Sequence, residues 1–195
     1  MSTPDAIRWN SRYQAGADTA SDLPRSLLVD HSNLLPTQGL ALDIAMGLGG
    51  SAGFLLKHGL HVIGVDISSV AVSRAKKNFP GLMAVVADME RFYIPPDRYD
   101  IILNFLFLQR DLWPSIQHGL KPGGILFMEC LTDEMLSVHP EIDPIYLLKP
   151  GELQHAFINS PHLVDLEILY YFEGWTPSTN AHRRATAALV ARRVA

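Results

Sequence analysis

Short apolar runs alternate with stretches of helical spacing along most of this chain. Residues 40–45 form an apolar run that ends in glycines, and residues 51–57 follow with helical spacing. Residues 62–67 are a second, β-branched run closed by Asp66. Residues 68–78 read as a helix, with Ser68 as N-cap, apolar positions at Val70, Val72 and Ala75, and Arg74, Lys76 and Lys77 near the C-terminus, where cations suit the helix dipole. Residues 82–87, 101–105 and 125–131 supply three more strands. Near-continuous apolar strands predict a sheet buried on both faces, hence parallel strands covered by helices. Strands alternating with helices predict a doubly wound α/β sheet. The last third differs. Pro150-Gly151-Glu152 opens a helix through Phe157, and residues 164–171 and 185–190 read as strands with no long helix between them, a pairing more natural for antiparallel neighbours. The chain before Asp30 reads as helical and outside the sheet, and the proline-bearing stretch 133–150 reads as a loop or lid.

Composition narrows the class. A length of 195 residues predicts one domain spanning 1–195, with residues 1–30 as an N-terminal helical cap. With 48% hydrophobic and 18% charged residues, the chain is not a disordered tail. The single cysteine, Cys130, excludes a disulfide scaffold, and the eight histidines lack the spacing of a helical ligand pair, so no metal site is expected. The net charge of −4 lacks the basic footprint of a nucleic-acid binder. The late pairs Arg183-Arg184 and Arg192-Arg193 read as solvated strand ends. The first twenty residues are polar, and the longest greasy stretch, 101–108, is interrupted by Asn104. The expectation is a soluble cytoplasmic protein with neither a nucleic-acid nor a membrane partner. Its oligomeric state is not legible.

The chemistry begins at Asp43-Ile-Ala45-Met-Gly47-Leu-Gly49-Gly50-Ser51, which follows a strand and opens a helix. Glycines there let backbone approach a ligand closely, and the helix presents free N–H groups to an anion. Asp66 ends the next strand, 17 residues after Gly49, where a carboxylate can accept ribose hydroxyls. Asp88-Met89 ends the third strand. Three polar strand ends in order predict one nucleotide crevice at the carboxyl edge of the sheet. The run from Gly47 to Ala52 also satisfies the loose dinucleotide fingerprint, so a nicotinamide nucleotide stays open as a ligand. Against it, Asp43 would repel a pyrophosphate but suits an ammonium group. A ligand with an amino-acid end and an adenosine end fits both features, and S-adenosylmethionine is one.

With these motifs in view, the chain resembles the class I S-adenosylmethionine-dependent methyltransferases. Asp43-Ile-Ala-Met-Gly47-Leu-Gly49-Gly resembles the family's first motif, with Ala45 where many members have glycine. Val65-Asp66-Ile67-Ser68 resembles the second, Ala87-Asp88-Met89 the third, Tyr99-Asp100-Ile-Ile-Leu-Asn104 the fourth-strand motif, and Leu120-Lys-Pro-Gly-Gly124 the turn before strand five. Trp9-Asn-Ser-Arg12-Tyr13, Leu147-Leu-Lys-Pro150-Gly151-Glu152-Leu and the arginine-bearing finish resemble the small bacterial tellurite-resistance-type and thiopurine-type enzymes. The resemblance implies a sheet of order 3-2-1-4-5-7-6 with strand 7 antiparallel. It implies that Gly47 and Gly49 cradle the methionine portion, Asp66 binds the ribose, Ile67 and Met89 sandwich the adenine, Asp88 accepts from its amino group, and Asn104 faces the methyl end. Trp9 and Arg12 would lie on a segment folded over the cofactor and acceptor, or Trp9 would merely pack.

The implied reaction is in-line methyl transfer to a small-molecule acceptor. Aligning the nucleophile supplies much of the rate, and a general base is needed only if the acceptor must lose a proton. No catalytic residue is assigned. Glu129 is either a base or a hydrogen-bonded structural acid, and Arg110 either an anion binder or an ion-pair partner of a nearby acid. Tyr146, Tyr170, Tyr171 and Trp175 either line an acceptor site or pack in the core. A nicotinamide-dependent oxidoreductase and a non-catalytic S-adenosylmethionine-binding module remain competing readings.

Overall fold

A computed structural model describes residues 3–16, 23–158, 164–176 and 183–194. The elements run α1 (Thr3–Gln14), α2 (Ser26–Asp30), β1 (Leu40–Ile44), α3 (Gly50–Lys57), β2 (His61–Asp66), α4 (Ser69–Asn78), β3 (Met83–Val86), β4 (Tyr99–Phe105), α5 (Trp113–Gly119), β5 (Leu120–Leu131), α6 (Glu152–Ile158), β6 (Leu166–Trp175) and β7 (Ala185–Arg193). The strands form one seven-stranded sheet of order β3-β2-β1-β4-β5-β7-β6. β7 runs antiparallel to both β5 and β6, and the other pairings are parallel. This is the architecture expected from the sequence.

Alternate residues of each central strand enter opposite cores. Leu42, Ile102 and Leu126 face the layer of α5 and α6, with Ile116, Leu153 and Phe157. Ala41, Ile101, Leu103 and Phe127 face α2, α3 and α4, with Leu28, Leu55, Val72 and Ala75. Two buried faces explain why these strands read as unbroken apolar runs. The last pair behaves differently because β6 is an edge strand and its residues stay half-exposed.

The elements depart from the sequence reading in several places, among them β6 and β7, which run on to Trp175 and Arg193. β5 starts at Leu120, five residues before the apolar run begins, because Leu120 already pairs with Tyr99 and an irregularity between Tyr99 and Ile101 absorbs the Pro-Gly-Gly turn. β3 stops at Val86, so Asp88 lies two residues beyond the strand rather than at its end. A helix, α5, fills the interval between β4 and β5 that the apolar pattern left unassigned. Of the segment expected to be helical before Asp30, residues 17–22 lie outside the described residues.

The 133–150 stretch is knitted rather than loose. It holds short 3-10 turns at Asp133–Ser137 and Pro144–Tyr146. Thr132 bridges Leu148, and Asp133 N–H donates to the Leu148 carbonyl. Arg110, just after β4, clamps it from the other side. Its Nη1 donates to the Ile145 carbonyl at 3.0 Å, its Nη2 to the Leu147 carbonyl at 3.0 Å, and Nε and Nη2 together grip the Glu152 carboxylate. Arg110 thus is the ion-pair partner of an acid, Glu152, which is distant in sequence. The guanidinium holds Glu152 below the ordinary carboxylate range. A lowered carboxylate stabilises the fold above its unfolded value, and that contribution is lost as pH falls through the folded one. Replacing Arg110 by alanine is expected to lower stability by about 1–2 kcal/mol, given partial solvent screening. A thermal melt, with limited proteolysis to locate new cleavage within 133–150, checks this; an unchanged melt and digest would refute the clamp.

Among the described residues no helix is long and apolar enough to cross a membrane, and no group of three or more His, Cys, Asp or Glu is placed to hold a metal ion. The late arginines are not simply solvated strand ends: Arg192 pairs with Glu167, the largely buried Arg193 holds Asp97 and the Leu120 carbonyl, and Arg183 lies over the Trp175 ring.

Candidate active site at the carboxyl edge of the sheet

The loop after β1 alternates left-handed residues, with Ala45 at φ 52°, Gly47 at 57° and Gly49 at 79°. This turns the chain sharply from strand to helix, with Met46 N–H donating to the Val65 carbonyl and Gly49 N–H to the Met46 carbonyl. Gly47 suits its place, since a Cβ there would lie 2.9 Å from the Tyr13 hydroxyl. Ala45 does not, because a left-handed conformation costs a non-glycine residue roughly 1–2 kcal/mol. Glycine at 45 would remove that strain and add unfolded-state entropy. Ala45→Gly is therefore expected to raise stability by about 0.5–1 kcal/mol, a melting point higher by roughly 1–4 °C. A lower melting point for that variant would show that the alanine methyl packs usefully.

Asp66 joins the loop to the end of β2. Its Oδ2 accepts from Gly47 N–H at 2.8 Å and its Oδ1 from Ser68 N–H at 2.8 Å. Ile67 N–H is a third donor to the carboxylate. A carboxylate offers about four acceptor sites, so in this arrangement about one is left for a ligand hydroxyl. Binding both ribose hydroxyls requires sharing an oxygen lone pair with the backbone. Ser68 also caps α4, its Oγ accepting from Ala71 N–H at 3.1 Å, as the sequence predicts.

Asp43 and Asn104 are buried in the same region with unmet hydrogen-bonding capacity. Asp43 accepts from Ala52 N–H in the first turn of α3, while its Oδ2 has no partner. Burial first, and the charge of Asp66 second, push its carboxyl up to about 8. Burial likewise raises Asp66, opposed by its backbone N–H bonds. Asn104, at register with Ile44 of β1 and fully buried, has neither amide atom bonded. Buried polar groups are normally paired, so the unbonded amide at this strand end beside the glycine loop is an exception to that rule.

Beyond β3, Asp88 opens a turn by accepting from Glu90 N–H, and the neighbouring Ala87 N–H donates to the Asp66 carbonyl. Met89 is buried in the core on the α5 side, whereas Ile67 is half-buried. The elements carrying Asp43, Gly47, Asp66, Asp88 and Asn104 therefore meet at one sheet edge.

α1 lies across this edge. The Asn10 side-chain oxygen accepts from Ser68 Oγ at 2.7 Å and Val70 N–H at 3.2 Å, and Arg74 donates to the Tyr13 carbonyl. This docking sets Tyr13 over Gly47. Trp9 sits beside Tyr13, with the Arg12 guanidinium 5.3 Å and the Arg8 guanidinium 5.7 Å from its ring. Arg8 also stacks 5.7 Å from Tyr146, tying α1 to the 133–150 stretch.

Other candidates are resolved differently. Glu129 is gripped by Arg25, whose Nε and Nη2 reach both its oxygens. Tyr170, Tyr171 and Trp175 belong to β6, four places from β1 in the sheet. Tyr170 packs on His31, the Tyr171 hydroxyl donates to Glu173, and Trp175 packs with Met135 and Leu147 of the 133–150 stretch. Cys130 is buried with its thiol pushed up to about 12, chiefly by burial, and so is unreactive. Sequence reading passed over Asn10, Tyr13 and Arg25 as individual contacts. The aromatic and polar residues of α1 signalled a docked helix, but nothing local signalled the partner of Arg25.

A family model described as a methyltransferase domain matches residues 41–124. A protein named "Probable thiol methyltransferase 2" from Arabidopsis thaliana is 30% identical over 141 residues, 65% of this chain. The aligned region is 62% of that relative's length, so the chain spans less than two thirds of it. TehB from Haemophilus influenzae superposes with a TM-score of 0.69 at 17% identity, covering 95% of this chain and 67% of that one. An S-adenosylmethionine-dependent methyltransferase from Mesorhizobium loti gives 0.67 at 18% identity, covering 86% and 98%. At these identities the superpositions speak for the fold. Over residues 41–124 the chain is thus similar to the methyltransferase-domain family, and it shares the fold of S-adenosylmethionine-dependent methyltransferases of known structure.

Proposed function

We propose that this protein binds S-adenosylmethionine along the carboxyl edge of β1, β2 and β4 and transfers its methyl group in line to a small-molecule acceptor. The observation that carries this reading is the 2.8 Å bond from Gly47 N–H to Asp66, which joins the glycine loop to the acid of β2 at one end of the sheet. The unbonded Asn104 amide and Asp43 Oδ2 fit a ligand with polar and cationic groups. On this reading the Gly47–Gly49 loop receives the methionine portion, Asp66 a ribose hydroxyl, Asp88 the adenine amino group, and Ile67 and Met89 the adenine faces. Asn104 stands at the methyl end, with Trp9 and Arg12 on the helix above.

The bound donor supplies an activated methyl on sulfur and a neutral leaving group. The protein's own residues orient the two reactants and exclude water, and orientation carries much of the rate. With Glu129 engaged by Arg25 and Cys130 buried, no described side chain among the earlier candidates serves as base. An acceptor that reaches the site already deprotonated needs none. A thiolate is such an acceptor, and a relative bears a thiol methyltransferase's name.

Calorimetry with S-adenosylhomocysteine and with NAD tests the donor assignment, and transfer of labelled methyl to a panel rich in thiols tests the acceptor. Tight binding of the homocysteine compound without NAD binding is expected. The reverse order would replace this reading with that of an oxidoreductase. Donor binding without transfer to any acceptor class would instead favour a non-catalytic module.

A further inference from the structure

From the placement of two buried carboxyl groups we infer that Asp43 and Asp66 act together as a proton-coupled recognition unit for the donor's positive charge, releasing a proton when the sulfonium binds and regaining it once the methyl has left. This rests on the assignment of the crevice to S-adenosylmethionine.

The two acids lie on adjacent parallel strands, with Asp43 opposite Gly64 and Asp66 two residues further along β2. Asp43 is 2% exposed and Asp66 6%. Asp66 is held by three backbone N–H groups, Asp43 by one, and Asp43 Oδ2 by none. Among the described residues neither forms an ion pair with Lys, Arg or His. Around the unit stand the Ala52 N–H of α3 at Asp43, the Gly47, Ser68 and Ile67 N–H groups at Asp66, and Tyr13 of α1 over Gly47. Arg74 of α4 is engaged by the Tyr13 carbonyl. Among the described residues no positive side chain pairs with Asp43.

Two neighbouring carboxyls in a desolvated site do not both ionise near neutral pH without a cation. Asp66 has the better-solvated anion, so Asp43 keeps the proton in the free protein. A ligand bringing one net positive charge replaces that proton. In the reaction the methyl–sulfur bond breaks, its electron pair stays on sulfur, and the methyl goes to the acceptor. The product thioether has lost the charge, and Asp43 takes a proton back from solvent. The site then holds donor more strongly than product, and more so as pH rises.

Calorimetry of the wild-type protein near pH 7, in two buffers of different ionisation enthalpy, reads the proton directly. Net release approaching one proton is expected with S-adenosylmethionine and little with S-adenosylhomocysteine. The ratio of donor to product affinity should rise by up to tenfold per pH unit between pH 6 and 8 and level off above. Asp43→Asn should bind both compounds with no buffer-dependent difference. Equal proton release with the two ligands, or a flat affinity ratio, overturns the inference while leaving the donor assignment standing. Failure to bind either compound overturns both. A ligand-free measurement is independent of binding. An Asp43 carboxyl raised to about 8 in the fold should make wild-type stability decline as pH rises from about 4 towards 8, because only the unfolded chain ionises there. Asp43→Asn should lack that decline, and parallel pH profiles for the two proteins would contradict the unit.

Discussion

Asp66→Ala is expected to weaken S-adenosylhomocysteine binding by about a hundredfold or more. Hydrogen bonds to a charged group contribute about 1.5–3 kcal/mol each, and about 1.4 kcal/mol corresponds to a factor of ten. Losing a ribose hydroxyl contact therefore gives at least tenfold. The remainder follows from the loop. The carboxylate is what draws Gly47 N–H and Ser68 N–H together, each at 2.8 Å. Without it, two buried donors lose their acceptor and the loop is free to leave the shape a ligand needs. A reading from sequence alone would expect this variant to lose affinity with its fold untouched. The hydrogen bonds make a second effect necessary: a drop in stability of about 1–3 kcal/mol from the orphaned N–H groups. Calorimetry and a thermal melt on the same protein separate the two. Affinity within threefold of wild type, in a protein shown to be folded, would remove Asp66 from the site.

Legibility from sequence divides along a physical line. The parallel strands could be read because burial on both faces leaves local apolar runs, and the glycine loop because its backbone needs residues able to adopt positive φ. Even there Ala45 is an exception: its left-handed backbone, φ 52°, was hidden behind an ordinary residue type. Long-range polar pairs left no local trace. Arg25 and Glu129 are 104 positions apart, and Arg110 and Glu152 are 42 apart. Any arginine can meet any acid once the fold is formed, so neither composition nor periodicity names the partner. The site divides the same way. Strand ends announced Asp43, Asp66 and Asn104, whereas the seating of Tyr13 over Gly47 depends on how α1 docks through Asn10.

The Arg25–Glu129 pair yields the other large effect, and it decides what Glu129 is for. Arg25 caps α2, its backbone N–H reaches Ser51 Oγ in α3, and its side chain crosses to β5. The Glu129 side chain is 8% exposed and that of Arg25 30%. Removing one partner of such a pair leaves a desolvated charge, which typically costs 3–5 kcal/mol, whereas replacing both by apolar groups is often close to neutral. Arg25→Ala is therefore expected to lower stability by about 3 kcal/mol, a melting point lower by roughly 6–12 °C. The double variant Arg25→Met with Glu129→Leu should recover most of that loss. Catalysis gives the complementary reading. A general base is worth roughly 10²–10⁴ in rate, so Glu129→Gln, which keeps shape and hydrogen-bonding capacity, should leave kcat within tenfold of wild type if the glutamate only anchors Arg25. A thousandfold fall in kcat with an unchanged melting point would make Glu129 the base and reverse this assignment.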